Sequence, residues 1–501
     1  MMLKVISMLA SVCTFAHAAE SEVQLGREAA TRYCQTCHVL PAPELLDQES
    51  WLKGALPHMA PWLGVAKINL ASRPDGDRLA AAGIFPTAPI LSEQEWKALH
   101  AYYGSAAPAQ PRMPANKPPA SVGLPLFRVR TLRTTTNAPF TSLVRVDAAN
   151  QRLFVGDAQE KTLKALRPDG TVLHSIPVDS APVDIVFSRT NLIVTLIGRT
   201  FPSDELAGQV WSVSLAGEVP EVKRLLRGLP RPTHTSVADL NGDGRDDLIV
   251  SGFGNSLGKL SWFESREDGR YSEHVLIDGA GAIRSHVHDW NGDGRLDVAV
   301  LRGQGREGVD MVFNRAEKFE TTPAIQLPPT YGCAAWQVVD FDGDGHLDLL
   351  IANGDSGDYK SKPKAYHGLR LYRGDGQGRF TEKWFYPLNG AYGVRAEDFD
   401  GDGDLDIAAI SFFPDYDSAP DESFIYLRND GNGRFQRFVI PEAKLGRWLV
   451  MDSGDIDGDG DVDIVLGSFP QGPRTTFIPD QLWQDWKTNQ ISVLILENTK
   501  R

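Results

Sequence analysis

Asp398-Phe-Asp-Gly-Asp-Gly-Asp-Leu-Asp406 sets four carboxylates, Asp398, Asp400, Asp402 and Asp406, within nine residues. Left bare, they repel one another. The arrangement occurs five times, starting at Asp239 (DLNGDGRDD), Asp289 (DWNGDGRLD), Asp340 (DFDGDGHLD), Asp398 and Asp455 (DIDGDGDVD). Oxygen donors at positions 1, 3, 5 and 9, with Gly at position 6 for a sharp turn, suit a hard cation such as Ca²⁺. The expected side-chain ligands are Asp239, Asn241, Asp243 and Asp247 in the first loop, with Arg245 giving its carbonyl, and Asp289, Asn291, Asp293 and Asp297 in the second. The other three sets are Asp340, Asp342, Asp344 and Asp348, then Asp398, Asp400, Asp402 and Asp406, then Asp455, Asp457, Asp459 and Asp463. About five Ca²⁺ ions are therefore expected.

An EF-hand would need Glu at position 12 and flanking helices. Position 12 is Val250, Val300, Ile351, Ala409 and Leu466, all apolar and all in strand-like runs. A calcium-binding β-helix would repeat about every nine residues, which the spacing excludes. The plainer alternative is a solvated acidic turn without metal, and five copies with the same Gly weigh against it.

Apolar runs follow each loop: Leu248–Val250, Val298–Val300, Leu349–Ile351, Ile407–Ile410 and Ile464–Leu466. Each unit then adds another strand signal, such as Leu260–Phe263, Met311–Phe313, Leu369–Tyr372 and Phe424–Leu427. The loops start 50, 51, 58 and 57 residues apart, so the mean unit is 54 residues, and residues 121–501 hold about seven of them. A period of that size with several strands per unit indicates propeller blades. Two units lack the loop: Leu143–Asp147 leading to Leu153–Val155, and Pro182–Asp184 leading to Leu192–Val194. The last strand, Ile491–Leu496, is expected to complete a blade with the start of the domain and close the ring. The loops resemble the FG-GAP/VCBS repeats of seven-bladed β-propellers, including the calcium blades of integrin heads. The resemblance covers residues 121–501 and implies fold and metal, not activity.

Upstream, the chain changes character. Residues 1–18 read as a secretory signal: Lys4 supplies the basic start, Val5–Phe15 the apolar run, and Ala16-His17-Ala18 the cleavage site. Val12 before Cys13 fits a lipoprotein signal poorly. No later segment is apolar enough to span a membrane. A periplasmic or extracellular protein is the expectation. Residues 19–105 carry helical patterns over Ser21–Tyr33, Pro43–Met59 and about 93–103, the last opened by the capping box Ser92-Glu-Gln-Glu95. Residues 106–120 hold five prolines and read as a linker. Fully extended, it would span on the order of 50 Å at ~3.1 Å per residue. The fold expected is multidomain: a small all-α domain (19–105), a linker (106–120) and an all-β seven-bladed propeller (121–501).

The helical part carries Cys34-Gln-Thr-Cys37-His38. Two thiols three apart can add to the vinyl groups of haem while His38 ligates the iron. Zinc would need two more ligands at close spacing, and no second cysteine pair exists. The helix–CxxCH–helix–terminal-helix layout resembles a small class I cytochrome c, with LSEQEWKALHAYY similar to that family's last helix. The family usually supplies a Met just before that helix, and here the segment is FPTAPIL. Met59 is the best remaining sixth ligand, and His58 the second. His100 and Met113 are less well placed. Cys333 reads as a buried strand thiol.

Residues just before the acidic loops belong on innermost strands facing a central channel. His234, Arg284, His286, Gln337 and Arg395 precede their loops by five or three residues and so share one face. They form a binding or catalytic candidate, against the plainer reading of a hydrated channel lining. Lys362, Lys364, Tyr366 and His367, after the loop 354–358, read as loop decoration. The formal charge of −14 becomes −15 without Lys4, and five divalent cations would bring it to −5. The acidity thus follows from the loops, and it argues against nucleic-acid binding.

The function expected is an exported c-type cytochrome that carries electrons through covalent haem. A calcium-stabilised propeller would provide docking, and a donor or acceptor dehydrogenase or cytochrome would be the redox partner. The alternatives are a propeller-hosted carbohydrate-active oxidoreductase or lyase coupled to the haem, and an adhesive propeller. No nucleophile elbow, Walker loop or zinc-protease motif appears.

Overall fold

Seven twisted antiparallel sheets form a ring of blades in a computed structural model that describes residues 20–112, 117, 119–189, 191–431 and 433–500. The expected signal segment and Met113 lie outside the described residues. Blade 3 shows the plan, with strands Pro232–Ala238, Asp247–Gly252, Lys259–Ser265 and Tyr271–Asp278 running from channel to rim. The second strand is buried along its whole length in blades 3 to 7, which is why it reads as a continuous apolar run. Each fourth strand shows one side to solvent, as in Tyr271–Asp278.

The two blades without acidic loops are present. Blade 1 starts with Thr141–Asp147 and Arg152–Asp157, and blade 2 with Pro182–Ser188 and Asn191–Leu196. The ring closes in blade 7, where Val493–Asn498 pairs antiparallel with Phe127–Leu132 from the start of the domain. Ser121–Val122 adds a parallel fifth strand to the rim of blade 6. A helix not expected from the sequence, Asp480–Asn489, sits between the second and third strands of blade 7. It buries Trp486, whose indole N–H donates to Lys444 O at 2.8 Å.

Helices precede the propeller. They run over 20–33, Gln48–Met59 with a π-turn at Trp51–Ala55, Gly76–Ala82 and Glu93–Ala106. The second starts at 48 rather than 43 because Asp47 caps it, accepting from Ser50 N at 3.2 Å. The Ser92/Glu95 capping box forms as expected. Gly26 lets the first and last helices cross closely, since a Cβ there would stand 2.0 Å from Ala98 O.

In an antiparallel blade, the turns between first and second strands lie at one end of the barrel, and the loops between second and third strands lie at the other. The acidic loops occupy the first end. The helices sit on the second. Asp204 N donates to Asp75 Oδ2 at 2.8 Å, and Arg78 donates to Asp204 O. Tyr366 Oη donates to Leu45 O at 3.0 Å, and Arg306 Nε to Cys37 O at 3.3 Å. The Tyr359 ring lies against Gly54. The proline-rich stretch therefore does not hold the two parts at the distance a free extended linker would allow, because these contacts fold the helices back onto the blades.

Candidate functional site

Three places gather chemistry. The first is Cys34–His38. Cys34 is half-buried, Cys37 is exposed, and neither is in a disulfide. Burial pushes the Cys34 thiol up to about 11, with Cys37 adding to the shift. His38 is half-buried, and its Nδ1 lies 2.9 Å from Val39 O. That bond orients the ring and leaves Nε2 without a protein partner among the described residues. Met59 is half-buried at the end of its helix, and His58 beside it is exposed. His100 turns its Nδ1 to Trp96 O at 3.0 Å. Among the described residues, four large apolar side chains of the helical part stay on its surface: Val39 next to His38, Leu52, Trp62 three residues past Met59, and Ile90, whose N–H donates to Leu63 O.

The second place is the set of acidic loops. Glycines at positions 4 and 6 all have positive φ, for example +71° at Gly343 and +88° at Gly345. Only glycine takes that path without strain. Both oxygens of the position-1 Asp accept loop backbone N–H groups, as Asp239 does from Asp243 and Gly244 at 2.9 and 2.7 Å. In the last three loops, ligand atoms of positions 1, 3 and 5 lie within 4.8 Å of one another: Asp340, Asp342 and Asp344; Asp398, Asp400 and Asp402; Asp455, Asp457 and Asp459. Position 9 behaves differently. Asp247, Asp297, Asp348, Asp406 and Asp463 are fully buried at the start of the second strand. Asp348 accepts from Phe341 N at 3.1 Å and from Gly374 N at 2.9 Å, which ties the loop to the third strand. Each oxygen keeps a second lone pair, so a cation can still share it.

The third place is the channel. It holds a cavity of about 440 Å³ whose lining includes all five residues expected there: His234, Arg284, His286, Gln337 and Arg395. Arg145 and Asp452 line it as well, and Asp184 stands behind Arg145 at 2.8 Å. Asp452 stands three residues before Asp455, the same offset as Arg395 before Asp398, so the sequence did carry its signal. Arg145 and Asp184 lie in the blades without an acidic loop, where there was no landmark to count from. Gln337 is committed to structure, donating to Ala396 O at 3.0 Å and accepting from Ala396 N at 2.6 Å. At the end near the helices, an apolar cluster of Ala181, Ile197, Phe412, Phe413 and Phe469 packs with Tyr392 and Leu449.

Burial holds the two channel histidines uncharged. It lowers His234 to about 3, Asp184 opposing, and His286 to about 4 with help from His288 and Arg284. Burial also pushes Asp184 up, but the guanidiniums of Arg284 and Arg145 and the Thr235 N–H outweigh it, so its carboxylate stays ionised. Asp452 is held low in the same way by Arg145 and Arg395.

Lys364 and His367 prove to be buried, not loop decoration. Lys364 Nζ donates to Ser356 Oγ at 3.0 Å, and Tyr366 stacks on Tyr331 at 4.7 Å while bonding the helical part. Lys362 lies 3.6 Å from Asp47. The segment is a pad on which the helices rest. Cys333 is a buried strand thiol, as expected, and accepts from Asn353 Nδ2 at 3.1 Å.

The FG-GAP-like repeat family matches residues 239–300, 289–351 and 358–409. The chain contains these repeats within a seven-bladed propeller. No curated protein sequence matches it. Among solved structures, the chain is similar to virginiamycin B lyase from Staphylococcus aureus at 11% identity, covering 74% of this chain and 99% of that one with a TM-score of 0.47. The Neurospora crassa Pan2 WD40 domain gives 11%, 76%, 99% and 0.45, and the N-terminal domain of Nup159 gives 13%, 76%, 97% and 0.43. Likeness at this level says nothing about ligand or activity.

Proposed function

We propose that the chain is an exported c-type cytochrome whose helical part carries covalent haem and whose propeller provides docking or recognition for a redox partner. The observation that carries this reading is Cys34-Gln-Thr-Cys37-His38 with both thiols unbridged and with His38 Nδ1 tied to Val39 O, which leaves Nε2 for the iron. The exposed apolar groups Val39, Trp62 and Ile90 suit the same apolar macrocycle. Bound haem would supply one-electron transfer. Cys34 and Cys37 would anchor it, His38 would be the proximal ligand, and Met59, or His58 in its place, the distal one. Arg306 and Gly305 of blade 4 stand beside Cys37 and His38, so the propeller borders this site. The acidic loops would hold structural Ca²⁺, supported by the convergence of their position 1, 3 and 5 carboxylates.

The test is expression in a host with haem-attachment machinery. The expected product keeps its haem through denaturation and gives a pyridine haemochrome of thioether type. The double variant Cys34→Ala, Cys37→Ala should give none. Haem lost on denaturation from the unaltered chain would overturn the reading. A second reading, an enzyme acting in the channel, draws on the convergence of His286 and Arg395 in one cavity. It requires that His286→Ala or Arg395→Ala remove turnover while the haem spectrum persists.

A further inference from the structure

The channel contains an alternating series of charges that is one member short. Arg284 Nη2 donates to Asp184 Oδ1 at 3.1 Å, and Arg145 Nη2 reaches the same oxygen at 2.8 Å. Arg145 Nη1 lies 3.7 Å from Asp452 Oδ1, to which Arg395 Nη2 donates at 3.0 Å. The series Arg284, Asp184, Arg145, Asp452, Arg395 passes through blades 4, 2, 1, 7 and 6 and begins and ends on a guanidinium. Blade 5 lies between the two ends. There it offers Gln337, which is neutral and committed to Ala396.

Three guanidiniums thus face two ionised carboxylates, and the two histidines are uncharged. Glu397 lines the same cavity and accepts from Ser453 at 3.1 Å; it interacts with Arg395 beyond ion-pair distance, so the end of the series with unused donors is Arg284. Arg284 has one protein acceptor; its Nε and Nη1 have none among the described residues. Burial lowers Arg284 to about 10, Asp184 opposing, with repulsion from Arg145 and Arg395 adding to the fall.

We propose that the channel binds one small organic carboxylate, a monoanion, seated between Arg284 and Arg395 beside blade 5 so that it closes the ring of alternating charge. One carboxylate completes the ion-paired series at Arg284, and the Glu397 charge already felt by Arg395 disfavours a dianion. A planar carboxylate fits the fork of Arg284. The cavity, about 440 Å³, lies within the ~300–1,000 Å³ of small-molecule sites. The five acidic loops, at the end of the barrel away from the helices, repel polyanions, so a small ligand is favoured over a long one. The inference stands apart from the haem reading, since it rests on the propeller alone.

Isothermal titration calorimetry of the full chain with D-glucuronate, glucose and inorganic phosphate tests it. Glucuronate should bind, glucose should not, and phosphate should bind at least about tenfold more weakly, a difference of ~1.4 kcal/mol. Arg284→Gln should weaken glucuronate by about tenfold or more. If that variant fails to fold, Arg284→Lys, which keeps the charge beside Asp184 but loses the fork, should show the same loss. No binding of glucuronate, equal binding of glucose, tighter binding of phosphate, or an unchanged affinity in the Arg284 variants would each overturn the proposal.

Discussion

The two ends of the propeller are built from the same strands and solve different problems. At one end, five nearly identical nine-residue turns follow one rule, and every blade that has the turn closes it in the same way. At the other, the loops differ in length and content, from Phe253–Gly258 in blade 3 to the helix-bearing 469–492 in blade 7. The regular end is set by local chemistry: glycines at fixed positions, and an Asp that accepts its own loop's N–H groups. The irregular end is shaped by what rests on it. Buried carboxylates there serve partners distant in sequence. Asp204, fully buried, accepts from Asn255, Ser256 and Leu257 N while its own peptide bonds the helical part. Repetition marks what a blade needs for itself, and its loss marks what the blades do together.

Chelation should separate the ends most sharply. A filled cation site adds about 2.7 kcal/mol at a hundredfold excess of ligand over its Kd. Removing divalent cations should lower the melting temperature of the full chain by several degrees, and Ca²⁺ should restore it. An unchanged melting curve would remove the cation role from the regular end. Next come two buried aspartates. Asp348→Ala orphans the N–H groups of Phe341 and Gly374, and Asp204→Ala those of Asn255, Ser256 and Leu257, so each should cost about 2–4 kcal/mol in denaturant unfolding. Only Asp204→Ala should also make residues 106–120 cleavable by added protease, because it releases the helical part. Equal cleavage of both variants would show that the two ends do not differ in this way.

The channel between them should give a smaller, pH-dependent effect. His234 and His286 have folded-state values of about 3 and 4, below the ~6.5 of an unfolded chain. Below ~6.5 the unfolded state binds more protons, so stability is lost as pH falls, on the order of 1 kcal/mol per unit for each histidine. His234→Gln should flatten that slope between about pH 6.5 and 4.5. A slope that stays the same would mean His234 titrates normally in the fold. Smallest of all, Tyr366→Phe removes the bond to Leu45 O and should weaken docking by about 0.5–1.5 kcal/mol, visible as faster proteolysis at 106–120 without a change in the propeller's own unfolding.

The channel candidates were legible where an acidic loop supplied a landmark. His234, Arg284, His286, Gln337 and Arg395 were placed by counting back from one, and all five line the cavity. The same count reaches Asp452, a carboxylate three residues from Asp455 that blends into the acidic loop behind it. Arg145 and Asp184 had no loop to count from. Their roles came from strand pairing, which sets Asp184 in blade 2 at the register that His234 holds in blade 3.

The sequence by itself determined the blade count, the two loopless blades, the ring closure through the last strand and the capped helix Glu93–Ala106 ahead of the propeller. All of these are local or periodic: a turn, a cap, or an apolar run repeated every 54 residues or so. Tertiary structure alone decided that the helices lie on the end opposite the acidic loops, and that Lys364 and His367 are buried among propeller loops. It alone decided that five charges from five blades join into one series. Those contacts link residues that are tens to hundreds of positions apart, such as Tyr366 with Leu45 and Arg145 with Asp452. No spacing along the chain encodes such pairs, because they exist only once the ring has closed.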